Sequence, residues 1–255
     1  MQNCDNKGNI SGYSYVGGIV GNNEKSQILF CNNAGKVQAS YSHVGGIAGL
    51  TNGGTIRKSY NIGYIYLDDS GFYGAGGICG VVNSSFGETI VEECYNTGEV
   101  YSLANLPNGM PSGGITGNAD SYNGEKIEIT NCYNTGYVHG IGAVGGIRGY
   151  ARKITLENCY NIGNVEQIEI ENATCGGIIG YIEGEDSIIN NNYWLDICGA
   201  NYGIASTNSN EETEPKTKEQ MKSLDTILGD AYLKDLYNKN NGYPILKWQI
   251  IRMKY

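Results

Sequence analysis

Apolar and polar positions recur in one fixed order along residues 1–200, in units of about 27 residues. A full unit contains an apolar residue, two further residues, the string Cys-Tyr-Asn-x-Gly-x-Val and, later, the string Gly-Gly-Ile-x-Gly. The Cys position falls at residues 4, 31, 59, 94, 132, 159 and 192, so the intervals are 27, 28, 35, 38, 27 and 33 residues. A unit of this length cannot bury a core alone, so neighbouring units must stack to form one.

The alternation inside each unit predicts short strands. Successive side chains of a strand point to opposite faces, so the Val position and the Gly-Gly-Ile string face inward while the polar residues between them face solvent. We predict two or three strands per coil, with parallel coils stacked about 4.8 Å apart. The predicted fold is therefore all-β, a right-handed parallel β-solenoid of six to seven coils that spans residues 1–207.

Three repeated positions have predicted structural roles. The Asn is expected to adopt a left-handed conformation at a bend and to hydrogen-bond amide to amide between coils. The Gly two residues later is expected to supply a backbone angle that other residues resist, and the doubled Gly a corner or a close backbone approach. The Asn positions are Asn6, Asn33, Asn61, Asn96, Asn134 and Asn161.

Five of the eight cysteines share one repeat position, which Ser59 and Asn192 occupy in the other two copies. A position that also accepts Ser and Asn does not require a disulfide, and a buried free Cys packs as a small apolar residue. We therefore expect a reduced, stacked column of cysteines. The sequence contains no Cys-x-x-Cys pair, so the signature of a structural zinc site is missing.

The net charge of the chain argues against two classes of binding partner. The net charge is −9 and the basic residues form no cluster, which argues against nucleic acid and anionic membrane surfaces. No apolar run approaches the roughly 18 residues of a membrane span, so we expect no membrane insertion. Met1 leads directly into the first repeat without a secretory signal, so we take the chain to be part of a longer protein.

The two strings together resemble a known repeat. The segments GGIVG, GGIAG, GGICG, GGITG, GGIRG and GGIIG, with CYNTG at 94–98 and 132–136, are similar to GLUG repeats over roughly residues 1–200. GLUG repeats occur in bacterial surface proteins and in the non-catalytic region of IgA-specific metallopeptidases. The resemblance implies an extracellular binding or spacer region at the cell envelope, and it supplies neither a ligand nor a set of binding residues.

The sequence offers no catalytic, cofactor-binding or metal site. The peptidases that share the repeat use a His-Glu-x-x-His zinc motif, whereas this chain has only His43 and His139, and neither has a Glu at helical spacing. We expect both histidines to be solvated or hydrogen-bonded. The acidic residues at 68–69 and 183–186 are interpreted as solvated loops, because no calcium-binding pattern accompanies them.

A column of tyrosines is the first candidate for binding. Tyr directly follows the inward Cys position, so alternation predicts that it points outward in successive coils. Such a column could stack against sugar rings or a partner protein, or it could brace the coils by stacking on itself. Its members are Tyr60, Tyr95, Tyr133, Tyr160 and Tyr193.

The longer copies supply the second candidate, because insertions in a solenoid become loops that often form the binding face. Residues 67–74 and 103–111 come from adjacent coils and are expected to protrude side by side. Residues 82–87 and 119–124 form a second such pair. The candidate contact residues in the first pair are Phe72, Tyr73, Leu106, Asn108 and Met110.

The glycine-rich repeats end at Thr207. Residues 208–215 have the composition of a linker, and residues 216–255 are predicted to form a small α/β cap over the open edge of the last coil. A capping box at residues 217–220 predicts a helix, followed by a second short helix at 230–237 and a strand at 243–251. This ending resembles the segment that often closes GLUG arrays.

These observations lead to two functional hypotheses. The first is a non-catalytic, monomeric binding or spacer module of an adhesin-like protein at the bacterial cell surface, which recognises a host glycan or protein. The alternative is the substrate-recognition region of a secreted zinc peptidase whose catalytic domain lies outside this chain.

Overall fold

The computed structural model describes residues 1–68, 73–103, 111–121, 124–168, 175–210 and 212–251. These residues form a parallel β-solenoid of about six turns with little helix, so the predicted all-β solenoid is confirmed. Among the described residues, no helix is long and apolar enough to cross a membrane.

The coils contribute strands to four parallel sheets, which we number in the order in which the chain visits them. Sheet 1 contains the Tyr-Asn pair, sheet 2 begins at the repeat Val, sheet 3 follows Gly-Gly-Ile, and sheet 4 precedes the next Cys position. The prediction of two or three strands per coil is therefore wrong. Residues with positive φ before each Cys position, such as Phe30 and Lys58, turn the chain between sheets 4 and 1 and divide the coil further.

The strands of sheet 1 are Asp5–Asn6, Asn32–Asn33, Tyr60–Asn61, Tyr95–Asn96, Tyr133–Asn134, Tyr160–Asn161, Asn192–Leu195 and Thr213–Lys216. Those of sheet 2 are Ile10–Gly17, Val37–Gly45, Ile65–Leu67, Ala75–Gly76, Val100–Ser102, Ser112–Gly113, Val138–Gly140, Val144–Gly145, Val165–Gln167 and Cys175–Gly176. Sheet 3 contains Val20–Glu24, Ala48–Asn52, Cys79–Asn83, Thr116–Asp120, Arg148–Arg152 and Ile179–Glu183. Sheet 4 contains Gln27–Leu29, Thr55–Arg57, Thr89–Glu92, Ile127–Thr130, Thr155–Glu157 and Ile188–Asn190.

The Asn column forms a ladder of side-chain amides between coils, as predicted. Asn96 Nδ2 donates to Asn134 Oδ1 at 2.8 Å, and Asn134 Nδ2 donates to Asn161 Oδ1 at 2.9 Å. Each amide also closes its own bend: Asn134 Nδ2 donates to the Gly136 carbonyl at 2.8 Å and Oδ1 accepts the Gly136 N–H at 3.1 Å. In the following coil the strand partner of Asn161 is Trp194, and the ladder ends there.

The predicted left-handed conformation of these Asn residues is wrong. Positive φ falls instead on the residue before the Cys position, which is Lys58 in one coil and Glu93 in the next. The glycine two residues after the Asn does not have a positive φ either. A Cβ at Gly136 would instead overlap the carbonyl oxygen of Gly98 in the preceding coil. This glycine is therefore required by the close stacking of two backbones. The doubled glycine allows a similar close approach, as predicted, with Gly114 against the Gly146 carbonyl.

The Cys column is buried except at Cys4, which is partly exposed, and its thiols are free. The Cys94 N–H donates to Cys132 Sγ at 3.4 Å, and the Cys94 thiol donates to the Glu92 carbonyl at 3.2 Å. At the two exceptional copies, Ser59 Oγ and Asn192 Oδ1 accept the equivalent N–H, at 3.1 and 3.0 Å. Cys, Ser and Asn are interchangeable at this position because each accepts a backbone N–H from the preceding coil.

The segment after the solenoid differs in part from its prediction. Thr213–Lys216 pairs with Asn192–Leu195 as the last strand of sheet 1, so the predicted linker 208–215 ends in a strand that covers the edge of the last coil. The capping box of Thr217 and Gln220 is present and starts the helix Lys218–Met221. A 3₁₀ turn follows at Leu224–Thr226.

The predicted helix at 230–237 is wrong, and the predicted strand at 243–251 is limited to Ile245–Leu246. Tyr232–Leu233 is a strand, paired antiparallel with Ile245–Leu246. The helix Trp248–Ile251 follows that second strand, because Gln249 Oε1 accepts the Leu246 N–H at 2.7 Å and turns the chain there.

Candidate binding surfaces

The predicted tyrosine column exists on sheet 1. Tyr60, Tyr95, Tyr133 and Tyr160 are paired in register, with ring centroids 4.9, 5.0 and 5.0 Å apart and planes within 5° of parallel. The expectation that this column is exposed is wrong for Tyr133 and Tyr160, which are only 1 % and 0 % accessible, while Tyr60 and Tyr95 are half-buried. Burial also raises the pKa of the Tyr133 and Tyr160 phenols well above the usual value.

Residues 232–251 of the same chain cover the tyrosine column. The Trp248 ring lies 5.8 Å from that of Tyr95, and its indole N–H donates to the Glu93 carbonyl at 2.9 Å. Gln249 Nε2 donates to the Tyr133 hydroxyl at 2.9 Å, and Asn240 Nδ2 donates to that of Tyr160 at 2.8 Å. The C-terminal segment thus runs back along the side of the solenoid, after the strand Thr213–Lys216 has covered the edge of its last coil. The column braces the coils and anchors this segment, which is the second of the two interpretations given above.

A different set of aromatic side chains is open on sheet 2. Tyr66, Tyr101 and His139 lie beside one another in the register of adjacent coils, with centroids 5.6 Å apart for the first pair and 4.1 Å for the second. Tyr64 and Tyr137 flank them, at 6.1 Å from Tyr66 and 4.2 Å from His139. All five are partly exposed. We call these five residues the aromatic band.

Charged side chains border the aromatic band. Lys36 Nζ lies over the rings of Tyr64 and Tyr66, at 5.5 and 5.3 Å from their centroids. Glu99 Oε1 lies 2.8 Å from His139 Nε2, and burial together with Glu99 raises the pKa of Tyr64 to about 12. The Tyr137 hydroxyl donates to the Glu166 carboxylate. The band is therefore an amphipathic strip with an aromatic centre and a charged rim.

Sequence reasoning missed the aromatic band because its members are not part of the repeated string. They occupy the variable positions on either side of the repeat Val, where other copies have Asn9, Ser11 or Gln38. The band could have been recognised from the tyrosines that recur at those positions in three consecutive copies. Alternation alone would have placed them on the outer face, since the Val between them is buried.

A cleft of about 380 Å³ is lined by residues of sheets 2 and 3. One wall is a stack of Tyr15, His43 and Tyr73, with successive ring centroids 4.4 and 4.5 Å apart. The other residues include the apolar Leu50 and Val81. Tyr15 and His43 share one position in successive coils, whereas Tyr73 lies one residue earlier in its coil, since Ala75 pairs with Val44. All three residues have a positive φ.

Of the predicted loop residues, Tyr73 lies at the cleft and is 44 % exposed. Phe72, Leu106, Asn108 and Met110 lie outside the described residues. In the second loop pair, Ser84 Oγ donates to Ser121 Oγ at 3.2 Å, so these loops lie side by side as predicted. The described residues among the binding candidates therefore lie in two places: the tyrosine column, which is covered, and the cleft, which contains Tyr73.

His43 makes the stability of this region depend on pH. Burial lowers the pKa of His43 from 6.5 to about 4, and Nδ1 lies 2.7 Å from Ser42 Oγ. Between these two pH values the unfolded chain binds a proton that the folded chain does not, so stability falls as the pH drops below 6.5. We expect the free energy of unfolding to lose about 2–3 kcal/mol between pH 7 and pH 4.5 through this residue.

The variant His43→Phe keeps an aromatic ring in the stack and removes the titration. Chemical denaturation of both proteins at the two pH values measures the difference in their pH dependence. An equal loss of stability in wild type and variant would show that His43 is not held neutral by burial.

Comparison with known proteins adds no functional assignment, since the sequence matches no family model and no curated protein. Within the described ranges, no three His, Cys, Asp or Glu side chains are grouped so that they could hold a metal ion. A function for the chain therefore has to be inferred from the repeat and from the two open surfaces.

Proposed function

We propose that the chain is a non-catalytic binding module that presents the aromatic band to an extracellular protein or glycan. The observation that carries the proposal is the partly exposed set of five aromatic side chains on adjacent coils, bordered by Lys36, Glu99 and Glu166. Rigid tyrosines surrounded by charged groups are the composition that protein-recognition sites favour. The likeness of the repeat to GLUG repeats supports a place at the bacterial cell surface.

The stacking inside the band favours a polypeptide over a sugar ring. His139 is nearly parallel to Tyr101 and to Tyr137, with planes 3° and 2° apart, so its two faces are already covered. A sugar ring needs a free aromatic face, whereas polypeptide side chains can pack against ring edges and bond to phenol hydroxyls. We therefore propose a protein partner first and a glycan second.

The proposal predicts that Tyr66→Ser with Tyr101→Ser removes binding. A hot-spot tyrosine contributes about 2 kcal/mol or more, so the loss of one alone weakens binding about thirtyfold, and the double variant should bind at least that much more weakly. The measurement is an array of host extracellular proteins and glycans, probed with each protein at equal concentration, followed by titration of any ligand found.

The matched control is Tyr150→Ser with Tyr181→Ser. These two tyrosines form another outward pair on adjacent coils, with ring centroids 5.7 Å apart, on sheet 3. Binding that is lost equally in both double variants would contradict a specific role for the band, and binding that is unchanged in the first would refute it.

A further inference from the structure

The cleft lined by sheets 2 and 3 contains two hydrogen-bond acceptors that lack partners. Among the described residues, neither Asn118 Oδ1 nor Asp120 Oδ1 has a hydrogen-bond donor, although both atoms are buried. Asp120 as a whole is only 9 % exposed. Buried polar atoms are normally hydrogen-bonded, because an unpartnered one costs free energy. Two such acceptors in one cleft indicate a ligand that donates hydrogen bonds.

The charges around the cleft favour a cation. Arg152 Nη1 lies 3.7 Å from Asp120 Oδ2, and Arg152 Nε lies 3.8 Å from Glu183 Oε1. One guanidinium is thus shared between two carboxylates, which leaves one negative charge in excess. The Arg152 side chain is also 40 % exposed, so solvent weakens its pairing with Asp120. A ligand with a positive charge would balance the excess.

The aromatic wall of the cleft suits the same kind of ligand. Tyr15 and Tyr73 lie at the two ends of the stack, with His43 between them. His43 in the centre is neutral at physiological pH, because burial lowers its pKa to about 4. The wall therefore offers π surface without a competing positive charge, and aromatic rings attract ammonium groups.

We propose that this cleft binds a primary ammonium group on an aliphatic chain, with the nitrogen donating to Asp120 and Asn118 and the chain lying along Tyr73 and Leu50. The volume of about 380 Å³ lies at the lower end of the range for small-molecule sites, and it accommodates a four-carbon chain. The lining of this cleft shares no residue with the aromatic band, so the two proposals can fail independently.

The first experiment is an NMR titration of the isotopically labelled chain with n-butylammonium chloride, and with 1-butanol at the same concentrations. We expect saturable shifts of Tyr73, Asn118 and Asp120 with n-butylammonium, and a dissociation constant on the order of 1–10 mM. The neutral alcohol, which has the same shape, should produce no saturable shift there. Equal binding of butanol, or no saturation with the amine, would overturn the proposal.

Variants then test which groups carry the binding. Asp120→Asn keeps the size of the side chain and removes its charge, and we expect about a tenfold loss of affinity. Tyr73→Ala changes a half-exposed side chain, so it should fold even if Asp120→Asn does not, and it should also weaken binding. The control is Asp186→Asn, which removes an exposed carboxylate near Lys153 and should leave the affinity unchanged. Unchanged binding by Tyr73→Ala, or by a folded Asp120→Asn, would overturn the proposal.

The same titration distinguishes two sources of the ammonium group. Nα-acetyl-lysine methylamide represents a lysine side chain of a partner protein, and glucosamine represents an amino sugar. Tighter binding of the lysine analogue would identify a protein side chain as the ligand, and tighter binding of glucosamine a glycan. Binding of glucose as tight as that of glucosamine would contradict recognition of the charge.

Discussion

Replacing Gly136 with Ala is expected to lower the free energy of unfolding by about 3 kcal/mol. A Cβ at this position would overlap the carbonyl oxygen of Gly98 and lie 3.0 Å from Asn96 Nδ2. The neighbouring coil cannot move away, because the Asn ladder and the strand pairs of sheet 1 fix the spacing on both sides. Denaturant titration of the purified variant measures the loss.

Gly8→Ala is the matched control for this change. Gly8 occupies the same repeat position in the first coil, where an added Cβ would meet only Asn6 Oδ1 at an ordinary distance of 3.7 Å. We expect its stability to be unchanged or to rise by up to about 1 kcal/mol, because Ala restricts the unfolded chain. If both variants lose stability equally, the glycines are needed for their backbone angle and the close-stacking explanation is wrong.

Replacing Trp248 with Ala is expected to cost about 3–5 kcal/mol of stability. The Trp248 side chain is buried against Phe30, Tyr60 and Tyr95, with ring centroids at 6.2, 6.3 and 5.8 Å. Its loss also leaves the Glu93 carbonyl without the indole N–H. The variant should therefore detach the end of the C-terminal segment and expose the tyrosine column, which increases binding of a dye such as ANS.

The control for Trp248 is Tyr237→Ala in the same segment. Tyr237 is 70 % exposed, so its removal should change the free energy of unfolding by less than about 0.5 kcal/mol. Wild-type stability and dye binding in Trp248→Ala would show that the segment does not cover the column in solution.

The repeated parts of the fold could be predicted because a fixed period determines which residues stack. Once the coil length was known, the ladder through Asn96 and Asn134 followed from their equivalent positions. The exchange of Cys with Ser59 likewise indicated a position without a disulfide, and the structure supplies the reason in a shared backbone N–H. Such columns depend only on register and on residue type.

The bends and the C-terminal segment could not be predicted, for two physical reasons. The residue before each Cys position has a positive φ, and in four copies it is Asn, which favours that conformation. In the other three it is Phe30, Lys58 or Glu93, so tertiary stacking imposes the turn there. The partner of the tyrosine column is Trp248, which bonds to a residue 155 positions away, and no local pattern encodes such a pair. Alternation correctly placed Tyr133 on the outer face of the sheet. The side chain is nevertheless buried, because the C-terminal segment packs over that face.

The central claim is that the solenoid binds its partner on the aromatic band and not on the tyrosine column that its own C-terminal segment covers. The most direct test is NMR mapping of the ligand identified by the array, on the isotopically labelled chain. The predicted result is a set of saturable shifts at Tyr66, Tyr101 and His139, with Tyr133, Tyr160 and Trp248 unaffected. Shifts concentrated at Tyr60, Tyr95 and Trp248, with release of the C-terminal segment, would contradict the account.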